Sequence, residues 1–236
     1  MKDILPMLPS FITAVVAVLG IFVSYMTVSI TRKEKAAQRE DARSERFTRA
    51  IEHLKDDALA IRMGALFELK KLGLASPEDQ ADILRILAPY IRDHIERRDD
   101  FRSSAKYEGT LRAEEDVYVA GKVASLLDKQ TEYRLSLNYL DAKNIYLSKI
   151  TLVNAKLSHA NFSGAILRKV NLRGADLNQA NLQKANLVGA DLRQAENLTA
   201  TQLLEAIIDD TTLLDDDLRA EYESLKAKID AAKKEA

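Results

Sequence analysis

The stretch ANFSGAILRKVNLRGADLNQANLQKANLVGADL, residues 160–192, sets a small aliphatic residue two positions before a large apolar one in every unit of five. Working outward, the large residue stands at 147, 152, 157, 162, 167, 172, 177, 182, 187 and 192. Its small partner stands at Ala155, Ala160, Ala165, Val170, Ala175, Ala180, Ala185 and Ala190, preceded by the bulkier Leu135, Leu140, Ile145 and Ile150. A helix with Leu at every fifth residue would spread it around all sides, and a strand would alternate every two residues. Neither ordinary element fits. Two inward residues per five, with Asn, Asp, Lys, Arg, Gln, Gly and Ser between them, describe a narrow coil with an apolar axis and a polar skin. Small Ala beside large Leu lets successive layers stack closely.

The pattern resembles the A(D/N)LXX motif of the pentapeptide-repeat family, carried here by Ala160-Asn161-Phe162, Val170-Asn171-Leu172, Ala175-Asp176-Leu177, Ala180-Asn181-Leu182, Ala185-Asn186-Leu187 and Ala190-Asp191-Leu192. The resemblance spans 135–195. It implies a right-handed, four-sided β-helix with one unit per side. Twelve units, Leu137 to Leu192, would make three coils, a stub about 15 Å tall at the usual spacing of stacked strands. Ala142 in a central position and Leu140 in a small-residue position make the first coil irregular, a transition from what precedes it. Both open ends of a solenoid need caps.

The chain has 236 residues, a formal charge of −1 and no Cys. No global field points to nucleic acid, and disulfide or thiolate chemistry is excluded. Residues 10–30, SFITAVVAVLGIFVSYMTVSI, carry no charge. As a helix they would cover about 31 Å, enough to cross a bilayer core. Lys2 precedes the run, whereas Arg32, Lys33, Lys35, Arg39, Arg43, Arg46 and Arg49 follow it. The positive-inside rule then puts the N-terminus outside and the bulk in the cytoplasm, with the inner membrane as the location. Pro6 and Pro9 should lie before the helix begins. Gly20 and Ser24 are spaced as a small-xxx-small pair, a weak dimer signal.

Residues 31–56 read as a polar helix leaving the membrane. Phe47, Ile51, Leu54, Ile61, Leu66, Leu69 and Leu72 then form an apolar face, with Gly73 expected as a C-cap. Ser76-Pro77-Glu78-Asp79 marks a new helix start that runs to about His94. Glu96–Thr110 reads as a charged loop, and 112–128 as a helix expected to cap the first coil. Tight turns with small residues Ala60, Gly64 and Ala65 resemble a degenerate HEAT-type pair. ERFTRAIEHL, IRMGALFELKKL and ILRILAPYIRDHI together resemble a helical segment found beside pentapeptide repeats in bacterial membrane-anchored proteins; that resemblance brings no activity with it.

After Asn197 the five-residue phase is lost. Thr199–Leu204 reads as a capped helix and Asp209–Leu213 as a turn, which resembles the short C-terminal helix that plugs the last coil in many family members. Leu214, Leu218, Tyr222, Leu225 and Ile229 follow heptad spacing, open both to self-association and to packing on the protein itself. The resulting organisation is α+β. Residues 1–30 form a short tail and a transmembrane helix, and 31–130 a helical adaptor. Residues 131–198 form the β-helix, and 199–236 a helical cap and tail.

Chemistry finds little purchase. His53, His94 and His159 show no ligand spacing, and Asp215-Asp216-Asp217 matches no Ca²⁺ loop but suits a helix start. No phosphate loop, dinucleotide fingerprint or nucleophile elbow is present. No catalytic, cofactor-binding or metal-binding residue is assigned, and no cofactor is expected. Some family members resemble duplex DNA in shape and charge and inhibit type II topoisomerases. Residues 135–200 instead hold eight basic and four acidic residues. That sign, on a three-coil stub, argues against DNA mimicry, and without an aromatic platform specific nucleic-acid recognition is not expected. The expectation is a non-enzymatic, membrane-anchored scaffold that displays the solenoid to a cytoplasmic protein partner or to the membrane. The alternative is a self-assembling effector, in bacterial or phage defence, that perturbs the bilayer. An unrecognised enzyme is the third reading.

Overall fold

The structure is a computed structural model that describes residues 8–96, 111–112, 115–127 and 133–235, with the backbone alone at 8–18, 111–112 and 235. The chain divides into two compact units, Met1–Thr48 and Arg49–Ala236. Helix α1, Leu8–His53, supplies all the described residues of the first unit. It begins at Leu8, so Pro9 falls within its first turn, where a missing N–H costs nothing, rather than before it. The start of the uncharged run, 10–18, lies outside the residues described with side chains. Among the described residues, no helix is long and apolar enough to cross a membrane. Leu19, Ile21, Phe22, Val23, Tyr25, Met26, Val28 and Ile30 are all exposed.

The second unit opens with a three-helix layer: α2 (Leu59–Ala75), α3 (Pro77–Glu96) and α4 (Glu115–Leu127). Its core is Leu66, Leu69, Leu72, Ile83, Leu87, Ile91, Val117, Val123 and Leu127. Pro77 opens α3 as expected, since its fixed φ suits a first helical position. Three expectations for this layer change. Gly73 does not end α2, which runs on to Ala75; a Cβ there would sit 2.8 Å from Leu127 Cδ2 and 3.0 Å from Ile83 Cδ1. The glycine is therefore a point of close helix approach, not a C-cap. Ala60 and Gly64 are exposed, and only Ala65 of the small trio packs inward. Leu111–Arg112 is a strand, β1, so the next helix begins at Glu115; the segment 97–110 lies outside the described residues.

β1 pairs in parallel with β2 (Ile145–Tyr146), Leu111 opposite Ile145, which adds a rung ahead of the solenoid proper. Beyond it the coil climbs without a break. Parallel bridges join Ser136 to Lys156 to Asp176 to Glu196, and Asp141 to Asn161 to Asn181. Two more rows join Tyr146 to Ile166 to Asn186, and Thr151 to Asn171 to Asp191. The offset is twenty residues throughout, so four units make one turn. The amides alternate between neighbours: Leu157 N donates to Asp176 O at 2.9 Å, and Lys156 N donates to Leu135 O at 2.8 Å. Every central residue from Leu137 to Leu192 and every small partner is buried, with Phe162 the largest side chain on the axis. The inward and outward register read from the sequence is the one the structure has.

Each side ends in a β-turn, for example Ala180 N donating to Leu177 O at 3.1 Å. The third turn residue has positive φ in all twelve units, from Tyr139 (φ 62) to Gln194 (φ 59). That left-handed residue is the signature of a type II turn. Only Gly164, Gly174 and Gly189 are glycine there. The first turn amide of most units is held by the Asn or Asp two residues earlier: Asn181 Oδ1 accepts from Gln183 N at 3.0 Å, and Asp176 Oδ1 from Asn178 N at 3.1 Å. This Asx turn is the physical reason for Asn and Asp in the motif.

The phase lost at Asn197 is regained. Ile207 bridges Asn186 and Leu213 bridges Asp191, offsets of twenty-one and twenty-two residues, so the ladder continues with two insertions. Helix α5, Ala200–Leu204, occupies the first of them. Thr199 caps it through a reciprocal box with Gln202, and Gln202 Nε2 also donates to Leu177 O at 3.0 Å and Ala180 O at 2.9 Å. The cap thus satisfies the Ala180 carbonyl, whose counterparts on Ala155 and Ala160 accept from Asp176 N and Asn181 N of the next coil. Helix α6, Asp216–Glu235, packs against α5; Leu214 and Tyr222 of the heptad stripe are buried, while Ile229 is exposed.

Candidate interaction surface

The helical layer meets the solenoid along its first coil. Tyr118 Oη donates to Tyr146 O at 3.3 Å and Ser125 Oγ to Thr151 O at 3.4 Å. A Cβ on Gly121 would sit 2.8 Å from Thr151 O, so only glycine lets α4 approach the coil this closely. From α3, Arg92 Nη2 donates to Asn138 O at 2.6 Å, and Glu96 Oε1 accepts from Asp141 N at 3.1 Å. One end of the solenoid is therefore covered by helices, leaving its sides as the surface that can meet a partner.

Those sides are columns of stacked side chains one coil apart. On one corner Arg134 runs along the stack: Nε donates to Asn154 O at 2.5 Å, Nη2 to Gly174 O, and Nη1 reaches Glu196 Oε2 at 2.8 Å. A single guanidinium ties three successive coils. Nothing in the repeat pattern singles out Arg134, because it precedes the first unit. On another corner Tyr139 stacks flat on His159, ring centroids 4.9 Å apart.

The charges divide into paired and unpaired groups. Arg193 grips Asp191 with two contacts, Nε–Oδ1 at 2.9 Å and Nη2–Oδ2 at 2.7 Å. The Arg193 hydrogen bonds and charge hold the Asp191 carboxyl below its usual range. Burial pushes Asp176 up, but hydrogen bonds from Asn197, Ser158 and the Asn178 amide outweigh it and lower its pKa. Arg173 Nε donates to Gln194 Oε1 at 3.0 Å. Lys149, Arg168 and Lys169 are exposed on one corner, in adjacent coils, with no acidic partner among the described residues. Lys156 and Lys184 are exposed on other columns, so the 149–168–169 corner is where three cations lie together.

The cluster that most resembles a reactive site is internal to the helical layer. Asp116 is 0% exposed and Arg62 7%. Asp116 Oδ2 accepts from Arg62 Nε at 2.5 Å and from Tyr90 Oη at 2.6 Å. Arg62 Nη1 also donates to the carbonyls of Asp57 and Asp56, at 2.8 and 3.1 Å. Burial raises the Asp116 pKa, but the hydrogen bonds from Tyr90 and Arg62 and the guanidinium charge carry it below the usual range. Burial and the Asp116 carboxylate together push the Tyr90 hydroxyl well above its usual value. Three helices are joined by one carboxylate that faces no solvent. Sequence reading missed this group; the available signal was a charged residue at each end of an otherwise apolar stripe, Arg62 before Leu66 and Asp116 before Val117.

The three histidines stay apart. His53 ends α1, His94 Nδ1 lies 2.9 Å from Tyr90 O, and His159 is in the solenoid. Among the described residues no group of His, Cys, Asp and Glu could hold a metal ion. Asp216 and Asp217 sit in the first turn of α6, as an acidic helix start.

Comparison with known proteins follows the ladder. The family model described as Pentapeptide repeats matches residues 145–183, 155–194 and 171–213. The match begins later than the phase read from 135 and ends later than 195. The first coil departs from the motif with Leu140, Ala142 and Ile145, while Ile207 and Leu213 rejoin the ladder beyond the phase break. No curated protein matches the chain. Among solved structures, a pentapeptide repeat protein, Rfr23, from the cyanobacterium Cyanothece 51142 is 29% identical, with 35% of this chain covering 56% of that one at a TM-score of 0.30. QnrB1, a plasmid-mediated fluoroquinolone resistance protein, is 18% identical over 40% of this chain and 44% of its own, TM-score 0.34. A pentapeptide repeat protein from Nostoc Pcc 7120 is 23% identical over 46% of this chain and all of its own, TM-score 0.25. This chain spans about half the length of the first two. Residues 145–213 therefore match the pentapeptide-repeat family model and carry a five-residue register on a twenty-residue coil.

Proposed function

We propose that the chain is a non-enzymatic, membrane-anchored interaction module that holds its solenoid in the cytoplasm and presents the Lys149–Arg168–Lys169 corner to an anionic surface on a partner protein. The observation that carries this reading is the division of labour in the coil. Inward residues are spent on packing, the strand Asn and Asp side chains on Asx turns, and Lys149, Arg168 and Lys169 share one corner with no acidic partner among the described residues. Fixed by the ladder, these cations lose little conformational freedom on binding, which favours affinity. The anchor rests on the uncharged run 10–30, the basic residues after it, and the exposed apolar side chains from Leu19 to Ile30, which call for an apolar environment.

The test is photo-crosslinking in native membranes, with a benzophenone amino acid at Arg168 and, on a different corner, at Gln183. A recurrent foreign protein captured at Arg168 and not at Gln183 supports the reading. Adducts only between copies of the chain, or only with lipid, would overturn it in favour of a self-assembling membrane effector.

A further inference from the structure

Helix α2 turns one face outward without covering it. Phe67 is 55% exposed and Leu74 51%, although both are large and apolar. Lys70 and Lys71 lie between them, so 67, 70, 71 and 74 follow the i, i+3, i+4, i+7 spacing of one helix face. With Ala75 they line one shallow, open hollow, and no acidic residue contributes to it. The opposite face, Leu66, Leu69 and Leu72, is fully spent on the core. Two apolar side chains flanking two cations, on one open helix face, are what a layer of anionic headgroups over acyl chains would meet: lysine stems lie along the apolar boundary while their ammonium groups reach the phosphates.

We propose that this face of α2 docks on an anionic lipid surface, an inference that rests on the membrane-anchor reading and extends it to a second contact. A second copy of the chain fits less well. Two-fold pairing centred between Phe67 and Leu74 would bring Lys70 and Lys71 against their own images, like charge on like. An acidic peptide fits less well too, because the patch is four or five side chains wide and stable protein interfaces bury about 800 Å² per partner. A membrane sets no such threshold when the same chain is already tethered to it, since the contact becomes intramolecular.

The absence of cysteine makes the test direct. Single nitroxide labels are placed on the full chain through Phe67→Cys, Leu74→Cys, Val23→Cys and Gln183→Cys. The chain is reconstituted in vesicles of phosphatidylcholine alone or mixed with phosphatidylglycerol. Collision with oxygen and with a water-soluble nickel complex then reports depth. Labels at 67 and 74 should favour oxygen in the mixed vesicles and nickel in the neutral ones, with Gln183 in water throughout. Lys70→Gln with Lys71→Gln should cut the ratio of docked to free about thirtyfold, the attraction of two lysines to an anionic leaflet. Labels at 67 and 74 that stay in water in both vesicles would overturn docking, and so would spin–spin broadening at 67 and 74 that disappears on dilution with unlabelled chain. Val23 separates the two readings: lipid at Val23 with water at 67 and 74 defeats docking alone, and water at Val23 with lipid at 67 and 74 defeats the anchor alone.

Discussion

Replacing Asp116 with Ala should unfold the helical layer far more readily than any loss of packing would explain. The side chain itself is small, so the cavity left is slight. The cost lies in what remains: a guanidinium almost sealed from water, now facing a gap, and a Tyr90 hydroxyl with no acceptor. Removing one partner of a buried ion pair costs about 3–5 kcal/mol, because the other charge stays buried and unpaired. The carbonyls of Asp56 and Asp57 still hold Nη1, which places the expected loss near the lower end. At the usual entropy of unfolding for a domain of this size, that lowers Tm by about 6–20 °C. Thermal and urea unfolding of the full chain, followed by helical circular dichroism, reads it out. The partner experiment is Arg62→Met with Asp116→Leu, which removes both charges and should recover most of the loss. If Asp116→Ala lies within about 1 kcal/mol of the parent, or if the double variant is worse than the single one, the three-helix layer does not depend on this pair and the reasoning fails.

Three further outcomes are expected. Leu177→Lys puts a charge on the dry axis of the solenoid and should cost several kcal/mol, while Asn178→Lys, one residue on, should stay within about 0.5 kcal/mol because the Asx turn uses only its amide; equal stabilities by urea titration would refute the register. Arg134→Ala should cost about 1–3 kcal/mol and be poorly rescued by Lys, since one ammonium cannot reach the Asn154 and Gly174 carbonyls and Glu196 at once; full rescue by Lys would show that only charge matters. Asp116 and Asp176 both have pKa values lowered by folding, so their stabilisation is complete above the ordinary carboxylate range and drains away as pH falls through it; a parent chain whose stability stays flat across that acid window, in pH-dependent urea unfolding, would contradict both assignments.

How much of this was legible in the sequence depends on how local the cause is. The solenoid register is local: an inward residue must be apolar, and twelve units in phase leave no second choice, so Leu137 to Leu192 could be placed inside without coordinates. The left-handed turn residue was not legible, because glycine marks it at only three corners and Tyr139, Lys149, His159 and Lys169 carry the same backbone with side chains that give no hint of it. A repeat constrains the residues that pack, whereas the turn conformation is imposed by the ladder above and below. The resumed ladder was hidden for a related reason. Ile207 and Leu213 pair by reaching the right height on the coil, and α5 absorbs the extra residues between them, so a strict period of five reads the segment as lost although its backbone is still in the stack.

Glycine 73 and Arg62 failed to declare themselves because their partners are distant in sequence. Gly73 looks like a helix end in isolation; only Leu127 and Ile83, pressed to within a Cβ's width, make it a packing residue. Arg62 looks like ordinary surface charge until Asp116, more than fifty residues later, is placed beside it. The same distinction governs function. The basic corner and the exposed face of α2 are each readable only after folding, since Lys149 and Lys169 are a full coil apart in the chain and neighbours in space. What a partner meets is therefore set by the coil length as much as by the residues. Inserting one complete twenty-residue coil between Lys149 and Lys169 would leave the motif intact and double the spacing of the charges along the stack, about 5 Å to about 10 Å. Binding that depends on the corner should weaken on that insertion, whereas binding to net charge alone should not change.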